Sequence, residues 1–205
     1  MKNLLSVLAV AGLSVVASAN VVVNGDFETG TLGPSTSAYA TNDIYAPAQY
    51  LIVSYDTVHS SWVDFYDHTF GTADGHYMIV NGTDSGAGPT WAQTVAVTPN
   101  TQYELSGWFA SLYSSAIAQI EFRVDGVLVV PQFSAPGTLG VWEQRSVIFT
   151  TGNVTSISVE IWDYNQSFTG NDYAVDDIGL NVVPTPGSVA LIGIGGLAAS
   201  RRRRV

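Results

Sequence analysis

The stretch Gln119-Ile120-Glu121-Phe122-Arg123-Val124-Asp125-Gly126 decides the fold. Ile120, Phe122 and Val124 alternate with Gln119, Glu121 and Arg123. This is the period of two expected of a strand with one buried face, and Asp125-Gly126 then supplies a turn. The pattern recurs on both sides. Around Val159, residues Ile157, Val159 and Ile161 point one way while Ser158, Glu160 and Trp162 point the other. Around Leu105, residues Tyr103, Leu105 and Phe109 turn inward, leaving Glu104, Ser106 and Trp108 on the polar side.

Worked outward, this reading predicts strands over 21–23, 50–53, 76–80, 91–97, 102–111, 117–124, 142–150, 155–163 and 173–180. Turn signals separate the later ones: Asn81-Gly82, Pro99-Asn100, Asp125-Gly126, Pro136-Gly137 and Gly152-Asn153. Segment 31–75 mixes Tyr, Asp, Ser and Pro without helical spacing and reads as loops with one or two strands. No stretch predicts a helix. Short strands at this spacing imply an all-β fold, an antiparallel β-sandwich or jelly roll.

Two tryptophans, Trp108 and Trp162, fall on faces otherwise polar. Flat apolar rings stack on sugar faces and polar side chains bond the hydroxyls. Trp108 and Trp162 with Glu104, Gln119, Glu121, Arg123 and Glu160 form one candidate ligand surface of that kind. The alternative is that long loops cover the face and make the tryptophans a second small core. Trp91 keeps parity with Val95 and Val97 and is expected in the core. Trp62, among Ser61, Asp64, Tyr66 and Asp67, either lines a binding rim or orders its loop.

The two ends read as processing segments. Lys2, apolar 4–16 and Ala17-Ser18-Ala19 form a signal peptide over residues 1–19. At the other end, residues 183–205 carry Pro184 and Pro186, an uncharged apolar run, and Arg201, Arg202, Arg203 and Arg204. The run is short for a spanning helix of about 20 residues, and the arginines stay on the cytoplasmic side. The β-sandwich domain is thus 20–182, long enough to bury a core without disulfides, and the chain has no cysteine. The chain has 7 basic and 17 acidic residues, but Lys2 and the terminal arginines lie outside the domain. Within it, Arg123 and Arg145 face all 17 acids, a formal net charge of −15. Such a surface repels phosphate backbones and excludes nucleic acid as a partner. It suits hard cations, or simply solubility.

The tail resembles the PEP-CTERM sorting signal of Gram-negative bacteria: a Pro-x-Pro box (Pro184, Pro186), an apolar segment and an arginine cluster (Arg201 to Arg204). Thr185 stands where that family usually has Glu. The resemblance implies an exported protein held briefly at the inner membrane, cut by an exosortase, then left at the cell surface or in the extracellular matrix. A plain C-terminal membrane anchor is the alternative.

Asn24-Gly25-Asp26-Phe27-Glu28, Asp74-Gly75, Trp91-x-Gln93-x-Val95, Tyr103-x-Leu105-Ser106, Gly140-x-Trp142 and Asp176-Asp177-Ile178-x-Leu180 follow in order. The set resembles the galactose-binding-like jelly roll of carbohydrate-binding modules. That resemblance implies that the first and last strands lie together and hold a structural calcium. Glu28 and Asp176 would be carboxylate ligands, with backbone carbonyls near Asp26 and a contribution from Asp177 completing the shell; the alternative is that Glu28 and Asp176 only accept hydrogen bonds at the rim of the sheet. It also implies that Trp142 packs in the core.

Catalytic signatures are missing: no Gly-x-Ser-x-Gly, no cysteine nucleophile and no zinc-protease motif. His59, His68 and His76 show no metal spacing and read as isolated surface residues. Paired acids suited to glycoside cleavage are left open. The sequence therefore predicts a non-catalytic carbohydrate-binding module with polysaccharide as partner, working in exopolysaccharide matrix or envelope. The alternative is a structural matrix protein that makes protein contacts without specific sugar binding.

Overall fold

Alternating side chains build two antiparallel sheets in a computed structural model that describes residues 19–55, 58–165, 167 and 169–184. In chain order the strands are β1 (Gln49–Val53), β2 (Tyr77–Asn81), β3 (Trp91–Ala96), β4 (Gln102–Ser111), β5 (Gln119–Val124), β6 (Val127–Ser134), β7 (Glu143–Thr150), β8 (Ser156–Asp163) and β9 (Tyr173–Val182). One sheet runs β1-β2-β9-β4-β7 and the other β3-β8-β5-β6. Every pairing between strands is antiparallel. Among the described residues there is no helix. This is the sandwich that the alternation predicts, and Asn20–Val182 fold as one unit. The signal-peptide residues 1–18, Pro186 and Arg201 to Arg204 lie outside the described residues; Pro184 is exposed.

The core lies between the sheets. Tyr103, Leu105 and Phe109 of β4 meet Ile120 and Phe122 of β5 and Ile157, Val159 and Ile161 of β8, all buried. Trp91 is in this core, as its parity predicts. A second cluster covers the outer face of the five-stranded sheet. Trp62 and partly buried Phe65, Tyr113 and Trp142 pack there on Tyr77, Ile79, Ala110 and Ala174. Trp142 is thus a packing residue, but of this outer cluster.

Two local expectations need correction. Residues 21–23 form no strand: the Asn20 side chain replaces the ladder. Its amide donates to Ile178 O at 3.2 Å, and its Oδ1 accepts from Leu180 N at 2.8 Å. The first segment nonetheless lies along β9, with Val21 N to Leu180 O at 3.1 Å and Ile178 N to Gly25 O at 2.9 Å. The second correction is β6, absent from the sequence reading because Pro131 interrupts its apolar run. β6 is an edge strand, where a missing N–H costs no ladder bond.

Gly25 sits so close to β9 that a Cβ there would lie 2.1 Å from Ile178 O. Backbone cannot yield as a flexible side chain does. Gly25→Ala is expected to destabilise by about 2–3 kcal/mol through overpacking and the lost Ile178–Gly25 bond. A urea midpoint matching wild type would refute this.

Candidate functional site

β9 carries a bulge where its register with β4 shifts between Ser106 and Trp108. Asp177 takes the left-handed φ of 46° there. The extra residue breaks the alternation. Val175 and Ile178 both face the core, while Asp176 and Asp177 both face outward beneath His68 and Thr69. Oδ2 of Asp176 accepts His68 N at 2.8 Å and Thr69 N at 3.3 Å; its Oδ1 accepts Asp177 N at 2.8 Å. Asp177 pairs with His68 Nδ1 at 2.6 Å and accepts from Thr69 Oγ1 at 3.0 Å. The His68 ring stacks on Trp108, centroids 3.7 Å apart. His68 is therefore a docking residue, not an isolated surface one.

These contacts bear on the expected calcium ligands. Glu28 accepts His76 N at 3.1 Å, Asp26 accepts Glu28 N at 3.4 Å, and Asp176 and Asp177 are taken up by the loop. Among the described residues no three His, Asp or Glu side chains gather around one metal-sized position. A calcium on this set would have to take most of its shell from backbone carbonyls.

The candidate sugar surface divides. Trp108 and Glu104 lie on the outer face of the five-stranded sheet, whereas Glu121, Arg123, Glu160, Trp162 and Gln119 lie on the other sheet. They do not form one site, because strand parity separates inside from outside but does not say which sheet. Trp108 is covered by His68, the second-core alternative. Trp162 lies beneath the Arg123 guanidinium, 4.1 Å from its centroid, and donates to Glu160 at 2.7 Å. Glu121 receives Arg123 at 2.6 Å and the Gln132 amide. Charge pairs and a cation–π contact occupy this face.

Trp62 leads to a different place. A recess of about 240 Å3 opens at one end of the sandwich, lined by Tyr45, His59, Trp62, Asn81, Tyr113 and Asp172 among others. Asn81 ends β2, Tyr113 follows β4 and Asp172 precedes β9, so three neighbouring strands in the sheet's loop end supply its wall. Gln49, at the start of β1, accepts from Asn42 N at 3.1 Å and Asp43 N at 3.3 Å and so orders the loop carrying Tyr45. The rings form a series: Tyr45 on His59 and His59 on Trp62, each pair 4.3 Å between centroids. Tyr45 is 58% exposed and Trp62 only 7%. The inner ring is thus anchored, with Trp62 Nε1 donating to Asp172 at 3.1 Å, and the outer ring is offered to solvent. Nδ1 of His59 accepts Ser61 N at 3.3 Å, which suits a neutral ring, and burial lowers its pKa. The recess presents stacked aromatic faces beside a carboxyl and an amide. Of its residues the sequence reading singled out only Trp62 as a rim residue. Tyr45, Asn81, Tyr113 and Asp172 lie in loops or strand ends without periodicity, and His59 read as isolated.

Three buried carboxyls set the pH response. Burial pushes Asp163 and Asp176 up to about 8 and Asp172 up to about 6. Neighbouring N–H donors oppose each shift, while the Asp177 charge adds to that of Asp176. Each group binds its proton more tightly folded than unfolded, where the pKa is about 3.9. The folded state then holds more protons between these values, so stability falls as pH rises from about 4 through 8. Each group contributes a slope of about 1.4 kcal/mol per pH unit within its own window. Urea unfolding in chelator should give a higher midpoint at pH 5 than at pH 8. A midpoint that is flat or higher at pH 8 would rule this out.

No protein-family model matches the chain, nor does any curated protein. Solved structures do. The tandem CBM22-1–CBM22-2 domains of Xyn10C from Paenibacillus barcinonensis align with a TM-score of 0.54 and 15% identity, over 84% of this chain and 47% of that one. TmCBM61 in complex with beta-1,4-galactotriose gives 0.50 and 18%, over 81% of this chain and 100% of that one. The arabinose-bound arabinofuranosidase MgGH51 gives 0.53 and 13%, over 81% and 27%. At such identities the likeness is one of fold: the chain has the β-sandwich jelly roll found in carbohydrate-binding modules.

Proposed function

We propose that the domain is a non-catalytic carbohydrate-binding module whose site is the Tyr45–His59–Trp62 recess. The observation that carries the reading is the stacked aromatic series ending on Asp172, with Asn81 alongside. A sugar ring would cover Tyr45, while Asp172 and Asn81 bond its hydroxyls. In support, a module sharing the fold was solved with beta-1,4-galactotriose bound. The net charge of −15 disfavours uronic-acid polymers and favours neutral ones.

The setting belongs to the same proposal: export, exosortase cleavage of the tail at the inner membrane, and action in the exopolysaccharide matrix or envelope. Screening the exported protein against neutral polysaccharides in affinity gels, with its intact mass measured on the same sample, tests both parts. Retardation by at least one polysaccharide and a C-terminus near Pro184 or Pro186 are expected. Unretarded migration throughout would remove the sugar reading, and retained Arg201 to Arg204 would remove the sorting reading.

Protein contacts are the second reading. Val127 and Val130 on edge strand β6 and Ile148 on β7 are more than half exposed, an apolar margin suited to a neighbour. Sedimentation of the exported protein as a monomer would disfavour it. For the calcium expected at Glu28 and Asp176, a melting temperature that a chelator lowers in wild type but not in Glu28→Gln would support that location.

A further inference from the structure

The walls of the recess are tied to one another in a closed circuit. The Tyr45 hydroxyl accepts from Ser60 N at 3.3 Å. Close by in the chain, Trp62 Nε1 donates to Asp172 Oδ2 at 3.1 Å. Oδ1 of the same carboxyl accepts Gly82 N at 3.3 Å, and the adjoining Asn81 amide donates at 2.8 Å to Ile44 O, beside Tyr45 again. Segments distant in sequence thus close a ring of hydrogen bonds. Its inner members are buried, Trp62 and Asp172 each 7% exposed. The aromatic rings stack in series, with interplanar angles of 30° and 21°, so that His59 covers Trp62 and Tyr45 covers His59. Such a stack offers a ligand one open face, that of Tyr45.

We propose, given that the recess is the sugar site, that it takes a single neutral sugar at a time, the non-reducing terminal unit of a glycan chain or branch. A platform for the interior of a chain sets rings side by side, one for each successive sugar, whereas rings stacked in series serve one sugar. Size agrees. Sites for drug-sized ligands run to about 300–1,000 Å3, and the recess holds about 240 Å3, room for one hexose and not for several. So does the circuit. Its bonds join each wall to the next, and a sugar seated within has no second exit along which a chain could continue. A unit held by one glycosidic bond fits there, and an interior unit does not. The polar groups decide which end enters. The Asn81 nitrogen is committed to Ile44 O, so its Oδ1 is left to accept, and each Asp172 oxygen can accept once more. His59 accepts Ser61 N through Nδ1, which leaves its proton on Nε2 as a donor, and the Tyr45 hydroxyl keeps its own proton to donate. A set fixed in this way suits hydroxyls of fixed configuration. The non-reducing unit has them, while a reducing unit interconverts between anomers and fits only in part.

The test is an amide NMR titration of the exported protein with the methyl β-glycosides of galactose, xylose and glucose, and with their β-1,4-linked oligomers from disaccharide to hexasaccharide. A methyl glycoside has neither a reducing end nor a second unit, so it is the minimal ligand. In the series that binds, the methyl glycoside should match the hexasaccharide in Kd within about threefold, with one protein bound per chain at every length. Tyr45→Ala should weaken every member by the same factor, since only the terminal unit is stacked. An affinity that climbs about 5-fold or more with each added unit, as further stacked rings would give, overturns the end-unit assignment. The recess itself then stands if the shifts stay at Tyr45, His59 and Asp172. Binding lost when borohydride converts the reducing end to the alditol also overturns the assignment. Shifts elsewhere, or none with any member of any series, remove the recess as the sugar site and the end-unit proposal with it.

Discussion

Asp176→Ala should lower unfolding free energy by about 3 kcal/mol, the largest stability effect expected of any one polar side chain here. Three backbone N–H groups, those of His68, Thr69 and Asp177, lose their acceptor together. Water can reach the vacated position only if the loop lifts, which unstacks His68 from Trp108. Relief of burying the carboxyl offsets part of the loss, because at pH 7 an acid raised to about 8 is mostly neutral and carries little charge penalty. Asp177→Ala is the control. It faces solvent more and loses only His68 and Thr69, worth about 1 kcal/mol. Urea unfolding followed by tryptophan fluorescence and circular dichroism reads both. Equal, small losses for the two variants would contradict the role given to Asp176.

The contrast between these neighbours shows what the sequence can and cannot convey. Alternation located β4 at 102–111, where it is found, and set the inward residues of β5 and β8. It works there because one face of each strand is buried and a one-residue slip would expose it. It fails at Asp176-Asp177, since a bulge is a register event between two strands and leaves no periodic trace in one of them. Trp108 and Trp162 share parity but lie on different sheets, a fact fixed by topology. Pro131 hid β6 because only an edge tolerates it, and edges are known only once the sheet is ordered. The recess was least legible of all: Trp62 and its partner Asp172 are 110 residues apart, and both sit outside regular strands. The one available signal was the density of Tyr, Trp and His in segment 31–75.

Tyr45→Ala should weaken binding of a neutral oligosaccharide by about 10-fold or more with little change in stability. Its ring is mostly solvent-facing, so the folded domain loses only its contacts with His59 and the Tyr45 hydroxyl bond to Ser60 N at 3.3 Å. A sugar face covering that ring gains aromatic contact worth about 1–2 kcal/mol, which is about 5- to 30-fold in affinity. Trp62→Ala should abolish binding and also destabilise by about 3 kcal/mol, because it leaves a hole in the outer cluster and takes the indole donor from Asp172 Oδ2, leaving that carboxyl only its bond from Gly82 N. Titration calorimetry with unfolding data separates the two effects. Normal affinity in Tyr45→Ala would remove the outer ring from the site.

The central claim is that sugar enters the recess at the end of the five-stranded sheet. The most direct measurement is a backbone-amide NMR titration of the domain with a β-linked galacto-oligosaccharide and, in parallel, a xylo-oligosaccharide. The account predicts saturable shifts with one of them at Tyr45, His59, Trp62, Tyr113 and Asp172, with Arg123 and Trp162 unmoved. Shifts confined to Arg123 and Trp162, or none with any neutral oligosaccharide that the intact protein retains, would contradict it.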